Sequence, residues 1–201
     1  MKKMIPVALC LALAACGGTR VVDLNDKDEV NAMQHVMELE YRDWTNTAEK
    51  MTESMIKSGA LKSESKPVIA IANIVNDTTQ RFDTDILTKK IRTTLLKSGT
   101  AQIATNFSGE DATSNTVRAQ RGNEEYNQKT IAEKGTLVAP NMSLSGKMLQ
   151  RNLKLESGWF SSVDTRVEYY LQLTLTDLKT GLSVWEDEQP IIKEGKDAPT
   201  W

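Results

Sequence analysis

Two stretches carry a serine and a lysine in S-x-x-K spacing, Ser54-Met55-Ile56-Lys57 and Ser63-Glu64-Ser65-Lys66, and Lys179-Thr180-Gly181 supplies a K-T-G. Together they would suit a lysine-assisted serine nucleophile that opens a β-lactam or peptide carbonyl. That chemistry needs the serine at a helix N-terminus with its Oγ in a cleft, an S-x-N motif beside it, and K-T-G on a strand lining the cleft. Here Ser54 falls late in a predicted helix and Ser63 in a charged loop. Lys179-Thr180-Gly181 has the composition of a hairpin turn, and no S-x-N occurs in the chain. His35 is the single histidine, which leaves no His-based triad and no multi-imidazole metal site. Ser145-Gly146-Lys147 lies in a strand pattern and lacks P-loop spacing. Carboxylates are plentiful, but no pattern pairs two of them in an apolar cleft. The expectation is a protein that is not an enzyme and holds no cofactor or metal.

The elements that would have to position such residues are legible. Pro67 opens an apolar run, Val68-Ile69-Ala70-Ile71-Ala72 and Ile74-Val75, with apolar residues at both parities. It reads as a strand buried on both faces. A polar turn follows, Asn76 to Arg81. Asp83 is then a helix N-cap, Leu87, Ile91 and Leu95 form one stripe, and Gly99 is the stop. Ahead of this unit, Trp44, Ala48, Met51 and Met55 mark a helix over about Trp44 to Lys57, ended by Gly59. After it, Ala101 to Ala104 is a short strand parallel to the first. Phe107 to Gly122 is a loop with one short helix, and Asn127 to Lys134 a helix closed by Gly135. Asn141 to Glu156 and Val163 to Asp177 are long strands. The second alternates Val167, Tyr169, Leu171, Leu173 and Leu175 with polar residues, and Leu182 to Glu186 returns beside it. The expected class is α/β (α+β): a mixed four- to five-stranded sheet with helices packed mainly on one face.

The first residues are an address. Lys2 and Lys3 precede an apolar stretch, Met4 to Leu13, too short to span a bilayer. Leu13-Ala14-Ala15-Cys16 resembles the lipobox of bacterial lipoproteins, which implies cleavage before Cys16 and lipidation of that cysteine. Gly17 in place of Asp implies an outer-membrane destination facing the periplasm. Several acyl chains on one residue anchor far better than a single chain. With Cys10 removed and Cys16 acylated, no disulfide can form, so the fold rests on its core. The chain has 201 residues and a formal net charge of −2. That balance gives no sign of nucleic-acid binding. The domain scheme is a signal peptide at 1–15, a lipidated N-terminus and polar tether at 16–38, although Val30 to Leu39 could begin a helix, and one globular domain at 39–201.

Longer runs carry a more specific likeness. They include Asn76-Asp77-Thr78, Gln80-Arg81, Asp83-Thr84-Asp85, Lys89-Lys90-Ile91-Arg92, Asn127-Gln128-Lys129-Thr130, Gly135 to Pro140, Leu144 to Lys147, Gln150-Arg151-Asn152, Val167 to Tyr170, Leu173 to Leu178 and Pro190 to Lys193. On these the chain resembles the LpoB family, outer-membrane lipoproteins that activate penicillin-binding proteins, over nearly the whole body after residue 40. The resemblance implies a core like the N-terminal domain of TolB. It also implies docking on a non-catalytic domain of a bifunctional peptidoglycan synthase, with stimulation of glycan polymerisation and crosslinking. Better-known members carry a long proline-rich tether, whereas this chain has no proline between Cys16 and Pro67.

The contact surface is read from the residues, and the family does not assign it. Gln80 and Arg81 lie on the turn after the first strand, where α/β sheets place their contacts. Arg151 lies on a long strand. Trp159 and Phe160 lie on the strand-to-strand tip as aromatic anchors. The partners expected are the synthase and, through the lipid, the outer membrane, with no small-molecule substrate and a monomeric body. A curli-pore-like secretion or assembly lipoprotein is the alternative, but no spare alternating strands remain to build a barrel. A passive structural lipoprotein of the envelope is another.

Overall fold

A computed structural model describes residues 36–105, 113–154 and 165–195, with Asp23, Asp26, Asp28 and Glu29 ahead of them. Contacts divide the chain between His35 and Val36. In the leading part, the Asp26 carboxylate accepts the backbone N–H groups of Asp28 and Glu29 at 2.8 and 3.3 Å, and these two residues are helical. From Val36 onward the order is α1 (Tyr41–Ser58), β1 (Val68–Asp77), α2 (Asp85–Ser98), β2 (Gln102–Ala104), α3 (Thr113–Gln120), a single 3-10 turn (Gln128–Thr130), β3 (Met142–Lys154), β4 (Thr165–Asp177) and β5 (Ser183–Gly195).

The strands form one sheet in the order β2-β1-β3-β4-β5. β1 pairs in parallel with β2 and β3, and β3, β4 and β5 pair antiparallel. The mixed α+β architecture is therefore as expected. Trp44, Ala48, Met51 and Met55 of α1 are buried, as are Leu87, Ile91 and Leu95 of α2. Both helices cover the sheet face that carries Val167, Tyr169, Leu171, Leu173 and Leu175, all fully buried. Side chains of this size each contribute about 1.5–3 kcal/mol on burial. Gly59 and Gly99 stop the two helices in the left-handed region, at φ 82° and 66°, where a side chain would strain the backbone. The α2 cap lies one residue later than expected, at Thr84, while the Asp83 carboxylate accepts the Asp85 N–H at 2.9 Å.

β1 corrects the expectation of two buried faces. Ile69, Ile71 and Ile74 are buried, but Ala72 and Val75 are exposed. The register runs Ile71↔Leu144 and then Ile74↔Gly146, so β1 carries one extra residue against β3. That bulge reverses the parity and returns Ile74 to the side of Ile69 and Ile71. Apolar residues at both parities thus reflect a bulge in a strand covered on one side.

Other boundaries differ as well. β5 runs past Glu186 to Gly195 through Pro190, which an edge strand tolerates. The helix expected over Asn127 to Lys134 is only the 3-10 turn, capped by Asn127, whose side chain accepts the Lys129 N–H at 3.1 Å. The segment has no apolar stripe to bury. Instead Arg121 donates to the carbonyls of Ala132 and Glu133, both at 2.8 Å. Gln128 Oε1 accepts from Gly122 N–H, and its Nε2 shares two protons among the carbonyls of Gln120, Asn123 and Tyr126.

Candidate functional site

Because β1 and β3 are parallel, their C-terminal ends share one end of the sheet. β4 begins and β5 finishes there too. The loop from Thr78 to Thr84 leaves at this end. The topology therefore gathers Gln80, Arg81 and Arg151 at one end. Trp159 and Phe160 belong to residues 155–164, outside the described residues, in the connection that leaves β3 and enters β4 here.

A closed set of hydrogen bonds shapes the loop. Asn76 Oδ1 accepts from Thr78 N–H at 3.1 Å and from Thr78 Oγ1 at 2.7 Å. The Gln80 carbonyl accepts from Asn76 Nδ2 at 2.9 Å and lies 3.1 Å from Thr78 Oγ1, whose single proton it shares with Asn76 Oδ1. Thr79 ties the loop to β3, donating from its N–H and hydroxyl to Gln150 Oε1 at 3.1 and 3.0 Å. Phe82 anchors the far side against the buried Trp44 ring, with centroids 4.2 Å apart. Arg81 is left exposed. The Gln80 side chain points elsewhere: its Oε1 accepts the Leu39 N–H at 2.9 Å and its Nε2 donates to the Leu39 carbonyl at 3.4 Å. Gln80 therefore braces the loop, and Arg81 is the side chain the loop presents.

Arg151 lies on the sheet face away from α1 and α2. Its register partner Glu168 is buried, and the Arg151 guanidinium lies 4.0 Å from Glu168 Oε2. Tyr170 donates its hydroxyl to the same oxygen at 2.6 Å, which together with desolvation holds that hydroxyl above its usual pKa. Arg166 lies 4.0 Å from Glu168 Oε1 and pairs with Glu194 at 2.6 Å. Neighbouring positions on this face follow the register. Asp77, Leu149, Tyr170 and Pro190 form one cross-strand row, with Arg151, Glu168 and Ile192 beside it. Half-buried Leu149 and Tyr170, exposed Pro190 and Ile192, and paired charged groups form a mixture that suits a protein contact.

The serine motifs do not assemble. Ser54 lies in the C-terminal half of α1, and the Lys57 ammonium is paired with Glu53 at 2.8 Å, which holds the Glu53 carboxyl below its usual range. Lys179-Thr180-Gly181 is a hairpin turn whose first two N–H groups bond the Asp177 carboxylate, at 2.8 and 2.9 Å. Those bonds keep that carboxyl low. Among the described residues no cluster of three metal-ligating side chains occurs. No described helix is long and apolar enough to cross a membrane.

Sequence reasoning missed the segment Val36–Glu40 and the side chains that hold it. Lys193 is buried, donates to the Val36 carbonyl at 3.1 Å, and lies 2.6 Å from Asp43 and 3.4 Å from Glu40. Its signal was a lysine in phase with Trp185 and Ile191, on the parity of β5 that faces the helices.

A family model described as "Peptidoglycan-synthase activator LpoB" matches residues 43–191. Among solved structures, the LpoB C-terminal domain from Escherichia coli is similar at 13% identity and TM-score 0.43, covering 74% of this chain and 98% of that one. The corresponding domain from Salmonella enterica is similar at 14% identity and TM-score 0.44, with the same coverage. Lipoprotein GNA1162 from Neisseria meningitidis is similar at 11% identity and TM-score 0.35, covering 67% of this chain and 88% of that one. No curated protein matches the chain in sequence.

Proposed function

Since the chain belongs to the LpoB family of peptidoglycan-synthase activators, we propose that it is an outer-membrane lipoprotein, anchored through Cys16, that binds and activates a bifunctional penicillin-binding protein. The observation that carries this reading is the family match over residues 43–191. The activator does no chemistry on the glycan. Its leverage is a higher affinity for the active state of the synthase, since a ligand shifts an equilibrium only by its differential affinity for the two states. The contact surface is the sheet end that carries Arg81 and Arg151, with Trp159 and Phe160 as aromatic anchors. Gln80 serves it by bracing the loop.

The deciding experiment is glycan polymerisation by a purified bifunctional synthase with and without the lipid-free body. Stimulation that saturates with added protein is expected. No stimulation at saturation would instead support a passive structural lipoprotein. In the same assay Trp159→Ala should weaken synthase binding by about 2 kcal/mol with an unchanged melting temperature. Unchanged affinity with a lowered melting temperature would mean that Trp159 packs into the fold and takes no part in docking. Cys16→Ser should leave the precursor uncleaved or release the protein from the membrane fraction.

A further inference from the structure

The residues just ahead of α1 are bound by side chains from three separate elements. Lys193 of β5 holds the Val36 carbonyl. Tyr169 of β4 donates its hydroxyl to the Met37 carbonyl at 3.3 Å. Gln80 of the docking loop takes both the N–H and the carbonyl of Leu39. Glu40 then caps α1 in a reciprocal box with Asp43, and both carboxylates face Lys193. Met37 lies against Gly195: a Cβ at that glycine would come 2.9 Å from the Met37 sulfur, so β5 leaves room for the segment.

This strap and the docking loop share one residue. The Gln80 side chain satisfies the strap, while the Gln80 carbonyl accepts from Asn76 Nδ2 and shares the Thr78 hydroxyl proton with Asn76 Oδ1. If the strap leaves, the Gln80 amide loses both of its partners on Leu39, and the loop is then held at its flanks by the Thr79–Gln150 bonds and the Phe82–Trp44 contact, with the Gln80 side chain between them released. Proteins open locally in contiguous units, and Gln80 makes the strap and the middle of the loop contiguous.

We propose that Val36–Glu40 is a releasable strap that opens and closes as one unit with the Asn76–Thr84 loop. Whatever pulls on the chain ahead of Val36 is then sensed at the loop that presents Arg81. That functional consequence rests on the partner reading above, whereas the coupling itself does not.

The test is amide hydrogen exchange on the full mature chain. Met37→Ser weakens the strap from its own side and touches no loop residue. The amides of Leu39, Thr78 and Thr79 should then exchange faster by a common factor of tenfold or more, with the core amide of Leu171 unchanged. Where Met37→Ser loosens the whole fold, Tyr169→Phe decides, because it removes only the hydroxyl on the Met37 carbonyl. Acceleration at Leu39 alone, or at none of the three, overturns the proposal, as does acceleration that extends to Leu171 in both variants. Binding of Met37→Ser to the purified synthase is measured separately. If wild-type protein fails to bind, the partner reading falls while the exchange result still decides the coupling.

Discussion

Gly146 is the residue at which local chemistry was most easily misread. Between Ser145 and Lys147 it evokes a phosphate loop, but its reason is steric. A Cβ there would lie 2.4 Å from Leu173 Cδ2 and 2.8 Å from the Gln172 carbonyl, and backbone cannot move aside cheaply. Gly146→Ala is therefore expected to lower stability by about 1–3 kcal/mol in a urea titration. A variant as stable as wild type would show that the strands can part without cost. Tyr169 makes a second residue-scale prediction. Burial, with smaller contributions from Glu38 and Asp43, raises its hydroxyl from 10.0 to about 12. A folded pKa above the unfolded one means that the folded state holds the proton more tightly. This contribution is complete below pH 10 and is lost as pH rises through about 12. Tyr169→Phe should start less stable at neutral pH, having lost its bond to Met37, yet decline less steeply between pH 10 and 12. Parallel declines for the two proteins would contradict this assignment.

At the scale of elements, legibility followed periodicity. The stripes of α1 and α2 and the alternation of β4 were readable because each repeats one burial period over three or more turns or pairs. What failed was local. The bulge of β1 changes parity at Ala72 and Asn73, and no propensity marks it; only the partner strand's register reveals it. The expected helix after Asn127 had a credible cap and stop but nothing to bury, and without an apolar face a short helix is unstable in water. The placement of the candidate residues was partly legible. Chain topology alone puts the β1 turn and the β3 end together, but the inward turn of Gln80 depends on Leu39, 41 residues away. The one-sided burial of β1 is testable by two matched substitutions. Ile71→Asp puts an unpaired charge at a buried position, where a cost above about 4 kcal/mol and loss of cooperative folding are expected. Val75→Asp puts the same charge on the exposed side beside Lys147, its register partner, and should cost at most about 1 kcal/mol. Melting curves that rank the two alike would refute the asymmetry.

For the whole molecule, the question is reach. About 20 residues separate Cys16 from Val36, and a chain of that length spans at most about 70 Å even when fully extended. The chain joins the body at the strap, which lies at the same end of the sheet as Arg81 and Arg151, so the length of the strands adds nothing to the distance those residues can reach. The long proline-rich tether that the family resemblance leads one to expect has no counterpart here, since no proline occurs between Cys16 and Pro67. We expect that the tether limits activation in the cell and has no part in activation by purified components. Lipid-free protein should stimulate the purified synthase as well as the full-length form does. In cells, a flexible spacer of about 20 residues inserted after Arg20 lengthens the reach and should preserve function. Deleting Val22 to Glu29 should abolish it, although Val36–Glu40 and the sheet end that carries Arg81 and Arg151 are retained. A deletion strain with normal cell-wall synthesis would mean that the synthase meets the body close to the outer membrane, and that the residues ahead of Val36 are not what sets the distance.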